Sequence, residues 1–251
     1  MKKRILLACA AVAISCSQPK VEQPAKPAAA APVYFVPDAT TAGVVSGKVV
    51  FKGKAEAGKL ISMDAEEDCQ KLHPTPVREE VIVTGKQGTL ANTLVYVKSG
   101  LEGKVFAPVE QVVQLDQHGC MFVPRVVAIR KGQTLSVKNS DPVSHNIHPM
   151  PQNNREWNQQ QSPGAPNLQR RFGFAEVVIP VKCNVHAWMK SYIGVIDHPY
   201  FGVTNSNGEF EFKNLPPGEY TIAAWHEKLG ELTQKITLAP SKSASLEFTF
   251  K

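Results

Sequence analysis

One short segment near the C-terminal end constrains this chain more than any other. It runs Cys183-Asn184-Val185-His186-Ala187-Trp188-Met189, so that a cysteine, a histidine and a methionine follow the spacing C-x-x-H-x-x-M. A second segment, Ser144-His145-Asn146-Ile147-His148, offers a further histidine from a distant part of the chain. These side chains can share one metal ion only in a fold that brings the two segments together.

The ligand types indicate which metal. A soft thiolate from Cys183 and imidazoles from His145 and His186 form the trigonal set that holds copper in both oxidation states, and a weak axial thioether such as Met189 tunes its potential. Zinc fits less well, because its structural sites close with four Cys or His ligands. Singly, each residue has an ordinary role in a core or on a surface. Together they predict one type 1 copper ion as cofactor.

The same residues resemble a known family. The two segments are similar to those of the cupredoxins, above all amicyanin and pseudoazurin, in which a His-Asn pair precedes a C-terminal Cys, His and Met. The short loop followed by the basic Lys190 favours amicyanin. The resemblance implies that His145 binds the metal while His148 is a neighbour. It also implies that Asn146 ties the two ligand segments together by hydrogen bonds.

The first sixteen residues are typical of an export signal. Met1-Lys2-Lys3-Arg4 is a positive start, and residues 5–14 form an apolar run too short to span a bilayer. The run ends in Ala13-Ile14-Ser15-Cys16, which resembles a bacterial lipobox in which Cys16 is lipidated. Because Ala13 stands where Leu is usual, ordinary secretion remains the alternative. The chain is therefore expected in the bacterial cell envelope, with a membrane as partner through the lipid.

Residues 17–42 are rich in Pro and Ala and predict a linker, since this composition buries too little apolar surface to offset the ordering entropy. The formal charge of +6 falls to about +3 without the signal's three basic residues, so it gives no argument for nucleic acid as a partner.

Short runs of β-branched or alternating residues between Gly, Pro and Asn predict an all-β chain of β-sandwiches. The best helical candidate is short, at residues 63–72. The predicted strands are 46–52, 89–97, 109–115, 123–129, 134–139, 176–180, 192–196, 209–212, 219–225 and 232–238.

The cupredoxin resemblance, from about residue 109, implies a Greek-key sandwich over residues 105–198. Between its ligand segments, residues 153–170 are rich in Gln, Asn and Pro and predict an exposed loop. The C-terminal part, with Asn207-Gly208 and Leu215-Pro216-Pro217-Gly218-Glu219-Tyr220, resembles a carboxypeptidase regulatory-like, transthyretin-type sandwich.

That last segment is too short for the family it resembles. Its opening strand and its second strand have counterparts before the copper segment, at Ser46–Phe51 and Ala91–Val97. We therefore predict a discontinuous sandwich, residues 43–104 with 199–251, into which the cupredoxin is inserted. Three modules in a row are the alternative, at the expense of an unpaired sheet edge in the last.

Five cysteines are present, of which Cys9 leaves with the signal. With Cys16 assigned to lipid and Cys183 to metal, Cys69 and Cys120 remain. In an oxidising compartment two remaining thiols predict one disulfide, although two free thiols are the alternative. This bridge would join the host sandwich to the insert.

Function follows from the metal site rather than from the fold. The resemblance implies a one-electron carrier, not an enzyme, that serves redox protein partners and exchanges electrons through His186, usually the ligand nearest the surface. The main alternative is a non-redox envelope lipoprotein whose host sandwich binds a glycan or protein, with copper structural or handled as cargo. An enzyme is the weakest option, because copper oxidases and nitrite reductases have further His-rich centres.

Overall fold

The computed structural model describes residues 32–251, of which residues 33–251 form one compact unit. The predicted signal peptide, residues 1–16, the lipidation site Cys16 and the linker up to residue 31 lie outside the described residues. Among the residues that are described, no helix has the length and apolar character needed to cross a membrane.

Strands dominate the structure, so the prediction of an all-β fold is confirmed. One short helix, α1 (Glu67–Lys71), and one 3-10 turn (Lys86–Gly88) accompany them. The strands are β1 (Gly43–Phe51), β2 (Leu94–Ser99), β3 (Val113–His118), β4 (Met121–Val123), β5 (Val126–Arg130), β6 (Leu135–Asn139), β7 (His145–Pro149), β8 (Gln159–Gln161), β9 (Leu168–Arg170), β10 (Glu176–Lys182), β11 (Lys190–Ile196), β12 (Phe201–Val203), β13 (Glu209–Leu215), β14 (Gly218–His226), β15 (Gly230–Leu238) and β16 (Ser243–Phe250).

Strands from the two ends of the described chain form one pair of sheets. One sheet has the order β13-β1-β16, and the other has the order β12-β2-β14-β15. In β13 the alternation of Glu209 and Glu211 with Phe210 and Phe212 places the phenylalanines in the core and the glutamates in solvent. The pairing of the early strands β1 and β2 with strands from the end of the chain supports the discontinuous sandwich. The domain boundaries remain a prediction.

The turn before β13 shows why glycine is needed there. Gly208 has a φ of 68°, a left-handed conformation that glycine adopts at little cost. A Cβ atom at this position would also lie 2.4 Å from the carbonyl oxygen of Val49. The predicted Asn207-Gly208 turn thus reverses the chain against β1.

The middle of the chain forms a second pair of sheets with its own core. Their orders are β5-β11-β10-β7-β8 and β4-β3-β6-β9. A third, smaller cluster, which includes Leu94, Tyr96, Val126, Ile196 and Ala223, packs β2 and β14 of the first pair against β5 and β11 of the second. The two cores are therefore joined by buried apolar contacts.

Several elements differ from the sequence-based prediction. The helix spans only Glu67–Lys71, because Pro74 and Pro76 follow closely and the N–H groups of Glu66 and Leu72 bond to carbonyls three residues back, at Met63 and Cys69. The loop predicted at residues 153–170 contains the short strands β8 and β9. The prediction also missed β16, although Leu246, Phe248 and Phe250 alternate with polar residues there.

The described end of the predicted linker, residues 32–42, contains no helix or strand. Its Phe35 nevertheless packs edge-on against Phe106, with ring centroids 5.6 Å apart, and its N–H donates to the carbonyl of Val105. The chain thus meets the folded part before β1 begins.

Glu176 fixes the segment that follows β7. Its carboxylate accepts hydrogen bonds from the N–H groups of Gln152 and Asn153 at 2.5 and 3.1 Å and from the side chain of Asn154 at 3.0 Å. Burial by itself would raise the pKa of Glu176, but these hydrogen bonds outweigh it and hold that pKa below its usual value of 4.5. The ionised carboxylate therefore stabilises the fold.

We expect Glu176→Gln to lower the free energy of unfolding at neutral pH by about 1.5–3 kcal/mol, the contribution of hydrogen bonds to a charged group. Because the folded-state pKa is lowered, this stabilisation is present above pH 4.5 and is lost as the pH falls through the folded-state value. Urea unfolding at several pH values checks this. Wild type and variant should converge in acid, and a difference that persists unchanged in acid would contradict the assignment.

Candidate metal centre

Two neighbouring strands bring the ligand segments together. His145 begins β7, and Cys183 directly follows β10, which pairs with β7 through the registers Val181 with Pro149 and Lys182 with His148. The loop after Cys183 is closed by two backbone hydrogen bonds, one from the N–H of Cys183 to the carbonyl of Met189 and one from the N–H of Met189 to the carbonyl of His186. The loop is thus compact and leads directly into β11, which begins at Lys190.

The donor atoms of three predicted ligands converge. The Nδ1 atoms of His145 and His186 lie 3.0 Å apart, and Sγ of Cys183 lies 3.9 Å from Nδ1 of His186. All three side chains are buried, and their donor atoms form a group within 4.8 Å of one another. Such separations suit donors that share one ion through bonds of about 2.0–2.3 Å.

The fourth predicted ligand, Met189, is fully buried in the apolar cluster that also contains Cys183. A thioether in this place is a neutral, soft donor of the kind used as a weak axial ligand of copper. The predicted ligands Cys183, His186 and Met189 therefore lie on one closed loop against His145.

The surroundings favour the thiolate form of Cys183, which is the metal-binding form. Burial would raise the pKa of Cys183, but the contact with His145 and the N–H groups of Asn146 and His186, at 3.5 and 3.4 Å from Sγ, outweigh it and lower that pKa. Hydrogen bonds of this kind to a ligand sulfur also tune a metal centre.

Asp141 contacts the candidate centre, although its part there was not predicted from the sequence. Its carboxylate lies 2.8 Å from Nε2 of His145 and accepts the N–H groups of Gly119 and Cys120. Burial works against a charged His145, but Asp141 and Cys183 outweigh it and raise the pKa of His145. Asp141 thus orients the ring so that Nδ1 faces the centre. The sequence signal was only an aspartate in a bend before β7.

Asn146 connects both ligand segments, as the family resemblance implies. Its backbone N–H points to Sγ of Cys183, and its side-chain Oδ1 accepts the N–H of Asn184 at 2.5 Å. Its Nδ2 donates to Oδ1 of Asn158 at 2.5 Å. His148 takes a different place, with ring nitrogens near Asn184 and Glu156.

His186 is buried, with only 3% of its side chain exposed, and electron exchange through it stays a prediction. Nε2 of His186 lies 3.6 Å from a carboxylate oxygen of Glu66 and 3.7 Å from Sγ of Cys69. The ring of Trp188 packs on the ring of His186 with a centroid distance of 5.1 Å. The Nε1–H of Trp188 donates to the carbonyl of Cys120. Glu66 and Cys69, which are distant in sequence, therefore cover His186 together with Trp188.

Cys69 and Cys120 form a disulfide, as the cysteine count predicted. Cys120, Asp141 and His145 also lie close enough together to resemble a metal site. Because a sulfur in a disulfide has no thiolate to offer, this group does not make a second centre. Among the described residues, Cys183 is the one free cysteine.

The donor set fits copper. Two converging imidazole nitrogens and a thiolate-favouring cysteine match a trigonal set, and the thioether of a buried methionine on the same loop would complete it. His145, Cys183 and His186 would bind the ion, and hydrogen bonds with Asp141 and Asn146 would keep these ligands in position.

No family model matches the chain, and no curated protein matches it. Among solved structures, the chain is similar to a copper-containing nitrite reductase from Thermus scotoductus SA-01, with 19% identity over 39% of this chain and a TM-score of 0.33. The match spans only 25% of the nitrite reductase.

Two smaller proteins also match. A purple cupredoxin from Nitrosopumilus maritimus has 20% identity, with 33% of this chain and 98% of that chain covered and a TM-score of 0.29. A variant of amicyanin in its Cu(I) state has 15% identity, with 34% of this chain and 81% of that chain covered and a TM-score of 0.30.

Proposed function

We propose that this protein is a type 1, or blue, copper protein that carries single electrons between redox partners. One observation carries the proposal, namely the convergence of Nδ1 of His145, Nδ1 of His186 and the thiolate-favouring Sγ of Cys183 in a buried pocket. Bound there, copper would alternate between Cu(II) and Cu(I), which is the one-electron chemistry of such centres.

The chain's own residues would make that change easy. A buried centre whose donors are held in place by Asp141 and Asn146 would keep the same geometry in both oxidation states. The buried side chains of Met189, His145 and His186 exclude water, so little solvent would have to reorganise during electron transfer. Electron transfer can proceed through such a closed centre, because no substrate has to enter it.

The proposal extends to location and organisation. We propose an exported protein of the bacterial cell envelope, anchored by lipid at Cys16 and held off the membrane by the linker of residues 17–42. Residues 43–104 and 199–251 would form the host sandwich that presents the inserted copper domain of residues 105–198. The pairing of β1 with β13 and β16 supports this layout.

Copper addition tests the function. Purified protein from residue 32 onward, with its disulfide intact, is titrated with Cu(II) and followed by visible absorption. We expect an intense band that saturates at one equivalent, is bleached by ascorbate and returns on reoxidation. Binding of Zn(II) alone, or no saturating band, would contradict the carrier function and favour an envelope binding protein.

Met189→Leu tests the axial position. Leu has nearly the same volume, so we expect a cost of less than about 1.5 kcal/mol in unfolding free energy. Loss of the thioether removes a donor that stabilises Cu(II), so the reduction potential should rise by tens of millivolts while the visible band persists. Protein-film voltammetry measures the potential. An unchanged potential would show that Met189 is a core residue only.

A further inference from the structure

The outer edge of His186 is closed by an acidic segment, which we call the cap and define as residues 53–80. The cap is held by the Cys69–Cys120 disulfide and by Nε2 of His73, 2.7 Å from the carbonyl oxygen of Gly119. It carries seven acidic and four basic side chains. With Glu66 against the ring, a partner cannot approach His186 directly.

A basic surface lies on the segment between the two ligand segments. Arg155 and Arg171 are exposed, and Arg170 is half-buried with its guanidinium 5.0 Å above the ring of Trp157. The only carboxylate within residues 150–175, that of Glu156, lies 2.5 Å from His148. We call Arg155, Arg170 and Arg171, with Trp157 and Phe174, the arginine patch.

The arginine patch has the make-up of a docking surface. Its residues line a surface cavity of about 680 Å³, and the side chain of Phe174 is 63% exposed beside the arginines. Aromatic and arginine side chains are enriched where proteins bind one another. Three positive charges around an apolar centre would complement an acidic partner.

Short contacts connect this surface to the metal ligands. Asn158, next to Trp157, accepts a hydrogen bond from Asn146, whose own N–H points to Sγ of Cys183. Trp157 also packs against the core cluster that contains Cys183 and Met189. A path of packed and hydrogen-bonded groups therefore runs from the thiolate to the arginine patch.

We propose that the arginine patch, and not the His186 edge, is the surface at which this protein exchanges electrons, and that its partner is an acidic one-electron redox protein. The inference rests on the proposed function. In the exchange one electron leaves the reduced Cu(I) protein and reduces the oxidised partner, or passes the other way. No atom and no proton is transferred.

The first test locates the surface without any electron transfer. Hexacyanochromate(III), a redox-inert paramagnetic trianion, is added to the metal-free protein, and broadening of amide signals is followed by NMR. We expect the strongest broadening at residues 153–158 and 169–174. Broadening centred on residues 64–70 and 185–188 would overturn the proposal.

The second test compares two charge-reversed double variants of the copper-loaded protein. Arg155→Glu/Arg171→Glu changes exposed residues of the arginine patch, while Lys52→Glu/Lys54→Glu makes the same change in net charge at exposed positions after β1. The oxidation rate of the Cu(I) form is measured by stopped flow at low ionic strength. The oxidants are hexacyanoferrate(III), an acidic cytochrome c and a basic cytochrome c.

With the two negatively charged oxidants, hexacyanoferrate(III) and the acidic cytochrome c, the arginine double variant should react more slowly than wild type by about tenfold or more. Electrostatic steering changes association rates by about 10–10³. With the basic cytochrome the arginine variant should be faster, and the lysine variant should follow wild type within about twofold. Equal effects of both variants would mean that only net charge matters, and no effect of either would place the exchange elsewhere. Both outcomes overturn the proposal.

These results separate the inference from the function on which it rests. A protein that shows no copper band fails as a carrier before any rate is measured. A protein that shows a reversible band, but whose oxidation rates do not change when Arg155 and Arg171 are replaced, is a carrier with another docking surface. Circular dichroism and thermal unfolding of each variant verify that the fold is retained.

Discussion

Cys183→Ser is expected to abolish the intense visible band of the copper-loaded protein. The band requires charge transfer from a thiolate sulfur to Cu(II), and a hydroxyl group cannot supply it. The variant also loses a direct ligand, so Cu(II) affinity should fall by at least about 100-fold, beyond the range found for residues that only hold ligands in place. Absorption spectra and a competition titration against a chelator measure both effects.

His148→Gln is the matched control, because His148 lies on the same strand as His145 yet has its ring nitrogens near Asn184 and Glu156. This variant should keep the band and bind copper within about tenfold of wild type, the lower end of effects from residues around a ligand. A band that survives in Cys183→Ser, or disappears in His148→Gln, would mean that the ligands are assigned wrongly. Near-ultraviolet circular dichroism verifies the fold in each case.

Removal of the disulfide should have the largest effect on stability. Cys69 and Cys120 are 51 positions apart, and closing a loop of this size in the unfolded chain corresponds to about 4 kcal/mol in the chain-entropy description. Cys69→Ala/Cys120→Ala should therefore lower the midpoint of thermal unfolding by roughly 10 °C. Urea unfolding and calorimetry of the metal-free protein measure the loss.

The loss should also be local. The other backbone ties inside the cap are few, among them the N–H of Ile61 to the carbonyl of Val77 and the N–H of Glu79 to the carbonyl of Lys59. Amide hydrogen exchange should therefore accelerate most in residues 53–80. A reductant should shift the wild type toward the variant and leave the variant unchanged. A wild type that resists reductant and a variant with wild-type stability would contradict this role.

The ligand segments illustrate what local sequence can predict. Donor chemistry belongs to the side chain itself, so Cys183, His186 and Met189 on one loop already indicate a soft metal, and the upstream His-Asn pair indicates where the remaining imidazole comes from. The contribution of Asp141 was not predictable in this way. An aspartate four residues before a histidine is ordinary in a bend, and only the packed strand end places it 2.8 Å from His145.

Among the strands, too, some were predictable from local sequence and others depended on tertiary packing. Period-two alternation and turn residues are local, so most strands were predicted within a few residues. The short strands β8 and β9 were not, because polar Gln and Asn residues carry no such alternation and are held by pairing with β7 and β6. Their pairing turns the segment into the surface that carries Arg155, Arg170 and Trp157.

By itself, then, the sequence determined an all-β chain, the ligand types of a candidate copper centre and a pair of cysteines suited to a disulfide, because each depends on residue chemistry or on neighbours along the chain. Only the tertiary structure decided that Glu66 and the Cys69–Cys120 bridge cover His186, and that β1 pairs with β16. Contacts of this kind join residues far apart in sequence. They arise from the packing of whole sheets, and the local pattern of a segment does not say which distant residues it will meet.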